Sequence, residues 1–252
     1  MELRRQRRIS KSAAIYIPIG ALMIIFLTIL GISSFLRIMA IEVHGVTRYS
    51  VEDVAAVSGI VPGDNLLFLD MEAAERRIVT AMPFVSEVVI SRIMPDTIKI
   101  EVIESIPAAS VELRGEFLII DSAGRVLERT ETFPESLVEI IGITPVEAVP
   151  GTQLRVESGG ETNAQHMRYI LSALEREGLL NDVSRLDMTS IAQISFGFKG
   201  RFHVLLGNRD NLRQKLSNLQ NALEGIYEEF GEEAEGQIDI RNHMERPMFF
   251  PS

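Results

Sequence analysis

The chain has 252 residues, contains no cysteine and carries a formal net charge of −10 at pH 7. Without cysteine it has no disulfide bond, no thiolate metal site and no cysteine nucleophile. Residues 1–37 hold six basic residues and one acidic residue, which leaves 19 and 34 for residues 38–252. The net charge of −15 on this larger part argues against nucleic acid or anionic lipid as its main partner.

An uncharged, largely apolar stretch from Ser12 to Leu36 follows a basic N-terminus. A helix of about 20 such residues crosses the hydrocarbon core of a bilayer and satisfies its own backbone polar groups. The sequence therefore predicts a transmembrane helix at residues 13–36. By the positive-inside rule, residues 1–12 stay in the cytoplasm and the rest lies outside it, because basic residues gather before the span at Arg4, Arg5, Arg7, Arg8 and Lys11.

A cleaved signal peptide is the main alternative for this stretch. Its apolar region normally runs about 7–15 residues and ends at a small-residue cleavage site. The apolar run here is longer, and no Ala-x-Ala pattern follows it. A buried helix of a soluble domain is a further alternative, which the length of the run and its basic flank disfavour.

The region after the predicted span favours the element order strand, helix, helix, strand, strand. Ser50 and Asp70 occupy cap positions of the two helices, and Gly59 ends the first. The strands are recognised by alternating or Val- and Ile-rich residues at 38–45, 84–92 and 97–102.

The remaining sequence indicates a β-rich region with two helices. Thr162, with Gln165, is predicted to cap the first helix, which ends at Gly178. An acidic run from Glu228 to Glu235 is expected to be a solvated helix end and loop. The second helix carries one apolar stripe, which either packs on the sheet or binds a partner, at Leu212, Leu216, Leu219, Leu223, Ile226 and Phe230.

The C-terminus combines a predicted strand at Gln237–Arg241 with three consecutive large apolar residues, Met248, Phe249 and Phe250. These three residues either pack into the core as a last strand or form an interface, and alternate residues could do both. A proline flanks them on each side, which indicates an edge strand, because proline cannot donate a hydrogen bond to a central ladder.

No catalytic, cofactor-binding or metal-binding residue is predicted. The chain has no phosphate-binding loop and no nucleophile elbow. The histidines do not pair at the helical spacing of a zinc site, and each is expected to be a surface or structural residue: His44, His166, His203 and His243.

These features, in this order and spacing, resemble the FtsQ/DivIB family of bacterial cell division proteins over nearly the whole chain. No single segment is diagnostic, whereas the combination behind a single anchor is specific. The segments are Val43-His44-Gly45, Gly63-Asp64-Asn65-Leu66, Pro83-Phe84-Val85, Val88-x-Ile90-x-Arg92-x-x-Pro95-Asp96-Thr97-Ile98, Val102-x-Glu104-x-x-Pro107-Ala108, Leu118-x-Ile120-Asp121-x-x-Gly124 and Ile238-Asp239-Ile240-Arg241.

The resemblance implies an α+β fold, with a POTRA domain at residues 38–105 and a β domain at 106–252. It implies a non-enzymatic scaffold of the division complex at the septal cell membrane, without cofactor, nucleic acid or small-molecule substrate. The implied partners are FtsB/DivIC-like and FtsL-like bitopic proteins, and the implied role is control of septal peptidoglycan synthesis. In the family, the last strands of the β domain accept a strand from the partner, which carries over here to Met248, Phe249 and Phe250.

Two other functions are compatible with parts of the sequence. A POTRA-bearing factor of envelope assembly or protein translocation is the first, although such proteins usually carry several POTRA units and a membrane β-barrel. A membrane-anchored enzyme of the cell wall is the second, which the missing nucleophile and metal motifs disfavour.

Overall fold

The computed structural model of the protein describes residues 16, 18–27, 31, 36–242, 244 and 246–252. Residues 18–27 are helical. Within this described part of the chain, no helix has both the length and the apolar character that a bilayer crossing requires. The predicted cytoplasmic tail at 1–12 lies outside the described residues, as does part of the predicted transmembrane helix at 13–36.

Two compact units make up the protein. Among the described residues, the first contains those up to Ile78 together with Glu87–Ile103, and the second contains those of Val79–Ser86 together with Glu104–Ser252. The architecture is mixed α+β in the first unit and β-rich in the second.

The first unit has the predicted order of elements. They are β1 (Ala40–His44), α1 (Val51–Ser58), α2 (Met71–Ala81), β2 (Val85–Ile93) and β3 (Thr97–Glu104). The three strands form one sheet in the order β1-β3-β2. β1 runs parallel to β3, with Ala40 opposite Thr97.

The predicted helix caps are confirmed. The side chain of Ser50 accepts a hydrogen bond of 3.0 Å from the N–H of Asp53, and that of Asp70 accepts one of 3.0 Å from the N–H of Ala73. Each contact satisfies one of the backbone donors that the first turn of a helix leaves unpaired. Gly59 ends α1 with φ 70°, a conformation that glycine adopts at little cost.

The second unit is built around a nine-stranded sheet. Its elements are β4 (Pro107–Leu113), β5 (Glu116–Asp121), β6 (Val126–Thr130), β7 (Val138–Ile141), β8 (Pro145–Glu147), β9 (Arg155–Val156), α3 (Glu161–Arg176), a short 3₁₀ turn (Leu180–Asp182), β10 (Val183–Asp187), β11 (Ile194–Phe198), β12 (Phe202–Gly207), α4 (Leu212–Phe230), β13 (Gly236–Asp239) and β14 (Met248–Pro251). The strand order is β14-β13-β12-β11-β10-β7-β4-β5-β6, and β8 pairs with β9 separately.

One hydrophobic core joins α3 and α4 to one face of this sheet. The residues that the sequence assigns to the inner side of α3, namely Met167, Ile170, Leu171 and Leu174, are all buried. The predicted start of α3 was wrong, since the helix begins at Glu161 after Gly160, without a side-chain cap at Thr162. The carboxylate of Glu161 instead reaches back to the N–H of Gly159, at 2.8 Å.

Candidate functional site

The C-terminal strand β14 forms one edge of the nine-stranded sheet. It contains the three predicted site residues Met248, Phe249 and Phe250, and it pairs antiparallel with β13. Among the described residues, no strand pairs with its outer side. An edge strand of this kind presents backbone groups with which another chain can pair.

Side chains of β14 alternate between the core and the surface. Phe249 is partly buried, and its ring lies 5.1 Å from the ring of Phe230 and 6.2 Å from that of Phe202. Met248 and Phe250 are 52% and 49% exposed on the other side of the strand. Phe249 therefore packs against the core, as one interpretation of this cluster predicts, whereas Met248 and Phe250 lie at the surface and their role in an interface stays a prediction.

The backbone of β13 determines which groups of β14 face outward. The N–H of Gly236 donates to the carbonyl of Arg201 at 3.2 Å, so even-numbered residues of β13 face β12. On the other side, the N–H of Ser252 donates to the carbonyl of Glu235 at 3.1 Å, so odd-numbered residues face β14. By the alternation of an antiparallel ladder, the backbone groups of Phe249 and Pro251 point to the open edge.

The open edge of β14 is poor in donors. Proline has no N–H, so Pro251 contributes only a carbonyl oxygen to this edge. Phe249 contributes both an N–H and a carbonyl. Pro247, which directly precedes the strand, also lacks an N–H. The edge thus has one outward N–H between two prolines, which restricts the register of an added strand.

A groove of about 900 Å³ runs beside this edge, between α4 and the C-terminal segment. Its apolar lining comes from α4, β14 and the segment before β14: Ala222, Gly225, Ile226, Phe230, Met244, Pro247 and Phe249. Its polar lining comes from Gln214, Asn218, Asn221, Glu229 and Arg246. The groove therefore presents both apolar and polar groups, a combination found in sites that accept a side chain or short segment of a partner.

Gly225 keeps part of this groove open. Apart from its chain neighbours and its own helix backbone, no atom of the described residues lies within 4 Å of a Cβ placed at this position. Glycine inside a helix costs about 1 kcal/mol relative to alanine. Its presence on an exposed helix face next to the groove is therefore not explained by helix stability.

The apolar stripe of α4 belongs mainly to the core. Five of its six predicted members are buried, which confirms that they pack on the sheet: Leu212, Leu216, Leu219, Leu223 and Ile226. Phe230 is the exception, because it is 47% exposed and borders the groove. The helix ends at Gly231, whose N–H donates to the carbonyl of Tyr227 at 3.0 Å.

A close approach of β14 to β13 requires glycine at position 236. A Cβ at Gly236 would lie 2.2 Å from the carbonyl oxygen of Phe250 and 2.9 Å from a ring carbon of Phe249. The first atom belongs to the backbone and cannot move aside alone. Gly236 therefore allows β14 to reach its position at the sheet edge.

Asp239, the last residue of β13, forms an ion pair with Arg241. Asp239 is buried, and its carboxylate accepts hydrogen bonds from the N–H and guanidinium of Arg241, with the shortest side-chain contact at 2.5 Å. Hydrogen bonds from the Arg241 side chain lower the pKa of Asp239, although burial acts in the opposite direction. The same contact raises the pKa of Arg241. This pair fixes the direction in which the chain leaves β13 towards β14.

Lys215 fastens the start of α4 to the end of β12. Its side chain is buried, and its ammonium donates to the carbonyls of Leu206 and Asn208 at 3.0 and 2.8 Å and to the Asn208 side chain at 3.1 Å. Burial lowers the pKa of Lys215. Because the three acceptors lie at the end of β12 and in the residue directly after it, this contact holds the helix that forms one wall of the groove against the sheet.

The other predicted groups show no convergent chemistry in the described part of the chain. There, no group of three or more histidine and acidic side chains could hold a metal ion. His44 is exposed and lies 3.7 Å from Glu42, whereas His243 falls outside the described residues. Members of the acidic run are exposed, as predicted: Glu228, Glu229, Glu232, Glu233 and Glu235.

Sequence reasoning did not identify the groove, Gly225 or Gly236. The groove depends on how α4 lies against the last strand, which no local pattern encodes. Gly236 carries a weak signal, because it stands directly before a predicted strand, where glycine often marks a close backbone approach. Gly225 interrupts a helical pattern, which is also a sign of a packing or functional reason.

Several known proteins are similar to this chain in sequence. Residues 36–105 match the family model described as "POTRA domain, FtsQ-type". The cell division protein FtsQ of Corynebacterium glutamicum is 30% identical over 155 residues, which cover 60% of this chain and 62% of that protein. The cell division protein DivIB of Clostridium botulinum is 23% identical over 248 residues, which cover 98% and 93%.

A solved structure also aligns with the chain. It is the major extracytoplasmic domain of the trans isomer of DivIB from Geobacillus stearothermophilus, with 15% identity and a TM-score of 0.32. The alignment covers 49% of this chain and 92% of that domain.

The protein is thus an α+β protein with a POTRA domain of the FtsQ type and a β-rich domain. The chain is similar to cell division proteins named FtsQ and DivIB, which confirms the resemblance stated from its sequence. It spans 62%, 50% and 54% of the length of the first three curated relatives that it matches.

Proposed function

We propose that this protein is a non-enzymatic scaffold of the bacterial division complex. In this proposal residues 13–36 span the cell membrane and residues 1–12 lie in the cytoplasm. The POTRA domain at 38–105 and the β domain at 106–252 then lie outside the cytoplasm, at the septum. The names of the FtsQ and DivIB relatives support a role in division, and the uncharged stretch behind a basic tail supports the topology.

The proposed partners are FtsB/DivIC-like and FtsL-like bitopic division proteins, whose binding helps control septal peptidoglycan synthesis. A shared membrane raises the effective concentration of such partners without new contacts. The observation that carries the binding proposal is the open edge of β14 next to the groove.

Strand addition explains how this surface binds a partner. An incoming strand pairs with the outward N–H and carbonyl of Phe249, and main-chain hydrogen bonds supply much of the affinity. The partner residue opposite Phe249 places its side chain on the same face of the sheet, towards the groove. The neighbouring partner residues lie on the other face, beside Met248 and Phe250.

Burial of the exposed side chains adds to this affinity. Each large apolar side chain that becomes fully covered contributes about 1.5–3 kcal/mol relative to its exposed state. Since Met248 and Phe250 are already about half covered, roughly half of that value is available from each. Their coverage by a partner also removes an exposed apolar edge that favours aggregation.

The sharpest test fills the groove without disturbing the core. Gly225→Leu places a large side chain where a Cβ meets open space, and leucine favours a helix over glycine by roughly 0.8 kcal/mol. We expect the full-length variant to keep or raise its melting temperature and to bind the FtsB/DivIC-like partner at least about tenfold more weakly, a loss of roughly 1.4 kcal/mol.

Gly225→Ala is the matched control for this test. It gives a similar gain in helix propensity but leaves most of the groove open, so partner binding should stay within about twofold of the parent. Equal binding by the Leu and Ala variants, both folded, would show that the groove is not part of the interface.

The role in division is tested in cells. A fluorescent reporter on the cytoplasmic end should collect at mid-cell, and depletion of the protein should produce filaments. A diffuse envelope signal with normal division, together with defects in outer-envelope assembly, would instead favour a POTRA-bearing assembly factor.

A further inference from the structure

One end of the POTRA unit carries a group of exposed apolar side chains, here named the apolar collar. Phe68 is 79% exposed, the highest value among them. The members come from three segments of the chain that are distant in sequence: Met39, Val61, Leu67, Phe68, Ile93 and Met94. Contiguous exposed apolar groups of this kind usually mark a surface that another molecule or a membrane covers.

Backbone hydrogen bonds bring the first two segments together. The N–H of Leu66 donates to the carbonyl of Leu36 at 2.9 Å, and the N–H of Ile38 donates to the carbonyl of Asp64 at 2.9 Å. The loop at 61–69 therefore lies directly against residues 36–38. This places Leu67 and Phe68 beside the residue at which the uncharged N-terminal stretch ends.

Arg92 holds this loop in place from β2. Its guanidinium donates to the carbonyl of Leu66 at 2.6 Å and to that of Leu69 at 3.1 Å. The turn after β2 completes the collar, because the carbonyl of Asp96 accepts a hydrogen bond of 2.8 Å from the N–H of Met39. The collar is thus an ordered surface of the unit, in which hydrogen bonds hold the loop at 61–69 and the turn after β2 next to residues 36–39.

We propose that the apolar collar contacts the lipid bilayer at its interface with water. The proposal rests on the proposed membrane span, since Leu36 is both the last residue of the uncharged stretch and a hydrogen-bonded part of the POTRA unit. With no spacer between them in the sequence, the collar lies next to the point where the chain leaves the proposed span. Apolar side chains at such a point lower their free energy by entering the boundary between headgroups and acyl chains.

Charge in this region is compatible with lipid contact but does not drive it. Arg37 is exposed beside the collar, where it can meet lipid phosphates. The carboxylate of Asp64 is engaged by the N–H of Val61 at 3.0 Å, and that of Asp96 by the hydroxyl of Thr97 at 3.1 Å. The proposed contact is therefore mainly apolar. This agrees with the net negative charge of residues 38–252, which does not favour electrostatic binding to anionic lipid.

The absence of cysteine allows a direct test with single labelled positions. The full chain is reconstituted in vesicles of phosphatidylethanolamine and phosphatidylglycerol, in which some lipids carry a nitroxide near the top of an acyl chain. A fluorophore is attached at Phe68→Cys. We expect the nitroxide lipids to quench its emission by about half or more, as for groups buried about 5–10 Å into the interface.

Ile103→Cys provides the matched control within the same unit. Ile103 is apolar and 55% exposed, but it lies six residues after Thr97 along β3, about 20 Å from the collar end of that strand. A label there should not be quenched. Equal quenching at positions 68 and 103, or none at 68, overturns the proposal.

A third label separates this proposal from the one on which it rests. Ile25→Cys lies in the uncharged stretch, so its label is quenched if that stretch is in the bilayer. Quenching at 25 without quenching at 68 refutes the collar contact alone. No quenching at either position refutes the membrane span as well. Repeating the measurement at several protein-to-lipid ratios tests contact between copies, because lipid contact predicts no dependence on protein density.

Discussion

The ring of Phe249 stands edge-on to the ring of Phe230, with 5.1 Å between centroids and 66° between the planes. This contact joins the last strand of the sheet to the last residue of α4. Edge-to-face pairs of this kind contribute roughly 0.5–1.5 kcal/mol beyond the area that they bury. It explains how a short C-terminal strand can be held by its side chain while its outer backbone groups remain open to solvent.

Substitutions at neighbouring positions of β14 should have different effects. Phe250→Lys alters an exposed side chain, so the melting temperature should change little, whereas binding of the FtsB/DivIC-like partner should weaken about tenfold. Phe249→Lys should lower the free energy of unfolding by roughly 2–3 kcal/mol, because a charge replaces a ring in the core. Thermal melts and pulldowns on the same preparations measure both. Unchanged binding by a folded Phe250→Lys variant contradicts the assigned surface.

Gly236→Ala should displace the edge strand. A Cβ there meets the Phe250 carbonyl at 2.2 Å, so we expect a loss of about 2 kcal/mol and faster hydrogen exchange at the Phe250 amide, which faces β13. Gly200→Ala is a suitable control. Gly200 has φ 68°, but a Cβ placed there has no atom of the described residues within 4 Å. Gly200→Ala therefore measures only the cost of a positive φ for alanine, about 1 kcal/mol. Equal effects of the two substitutions would rule out the proposed close approach.

The Asp239–Arg241 ion pair should make the free energy of unfolding depend on pH. The pKa of Asp239 is lower in the folded protein than in the unfolded chain. The stabilisation that its carboxylate provides is therefore complete above the pKa of the unfolded chain, about 3.9, and is lost as the pH falls through the lower pKa of the folded protein. Asp239→Asn should therefore cost roughly 1–2 kcal/mol at pH 7. Denaturant titrations should show this difference unchanged down to about pH 5 and shrinking below about pH 4. A difference that persists at low pH would mean that the carboxylate charge is not its source.

Lys215→Met should destabilise the second unit by about 2–4 kcal/mol, because it leaves the acceptors at Leu206 and Asn208 without their donor in a buried place. Lys199→Met is the matched control. Lys199 is partly exposed and lies 4.0 Å from Asp182, an ion pair worth about 0–1 kcal/mol. Chemical denaturation measures both variants. Similar small losses would show that the Lys215 hydrogen bonds contribute little.

The POTRA unit was largely predictable because its signals are local. Caps at Ser50 and Asp70 act within three residues, and the alternation of β3 encodes its buried face directly. The start of α3 was mispredicted, because Gly160, which has no side chain, occupies the N-cap position that was expected at Thr162. β8 and β9 were missed, since three and two residues are too short to show a period.

The candidate site was predictable only in part. The cluster at 248–250 and its edge position follow from composition and prolines, and its alternation between core and surface was foreseen as a possibility. The groove was not, because it arises where α4 and β14 meet after distant strands have paired. Partner binding by these residues stays a prediction that the experiments above decide.

The prolines around Phe249 also bear on which chains can associate with this edge. Two identical copies placed edge to edge bring only the Phe249 N–H from each side, so two of the four facing carbonyls of Phe249 and Pro251 would stay without a donor. A segment of another sequence, without proline, carries its own N–H groups to the carbonyls of Phe249 and Pro251. The edge therefore disfavours self-association and fibre growth while it stays receptive to a foreign strand.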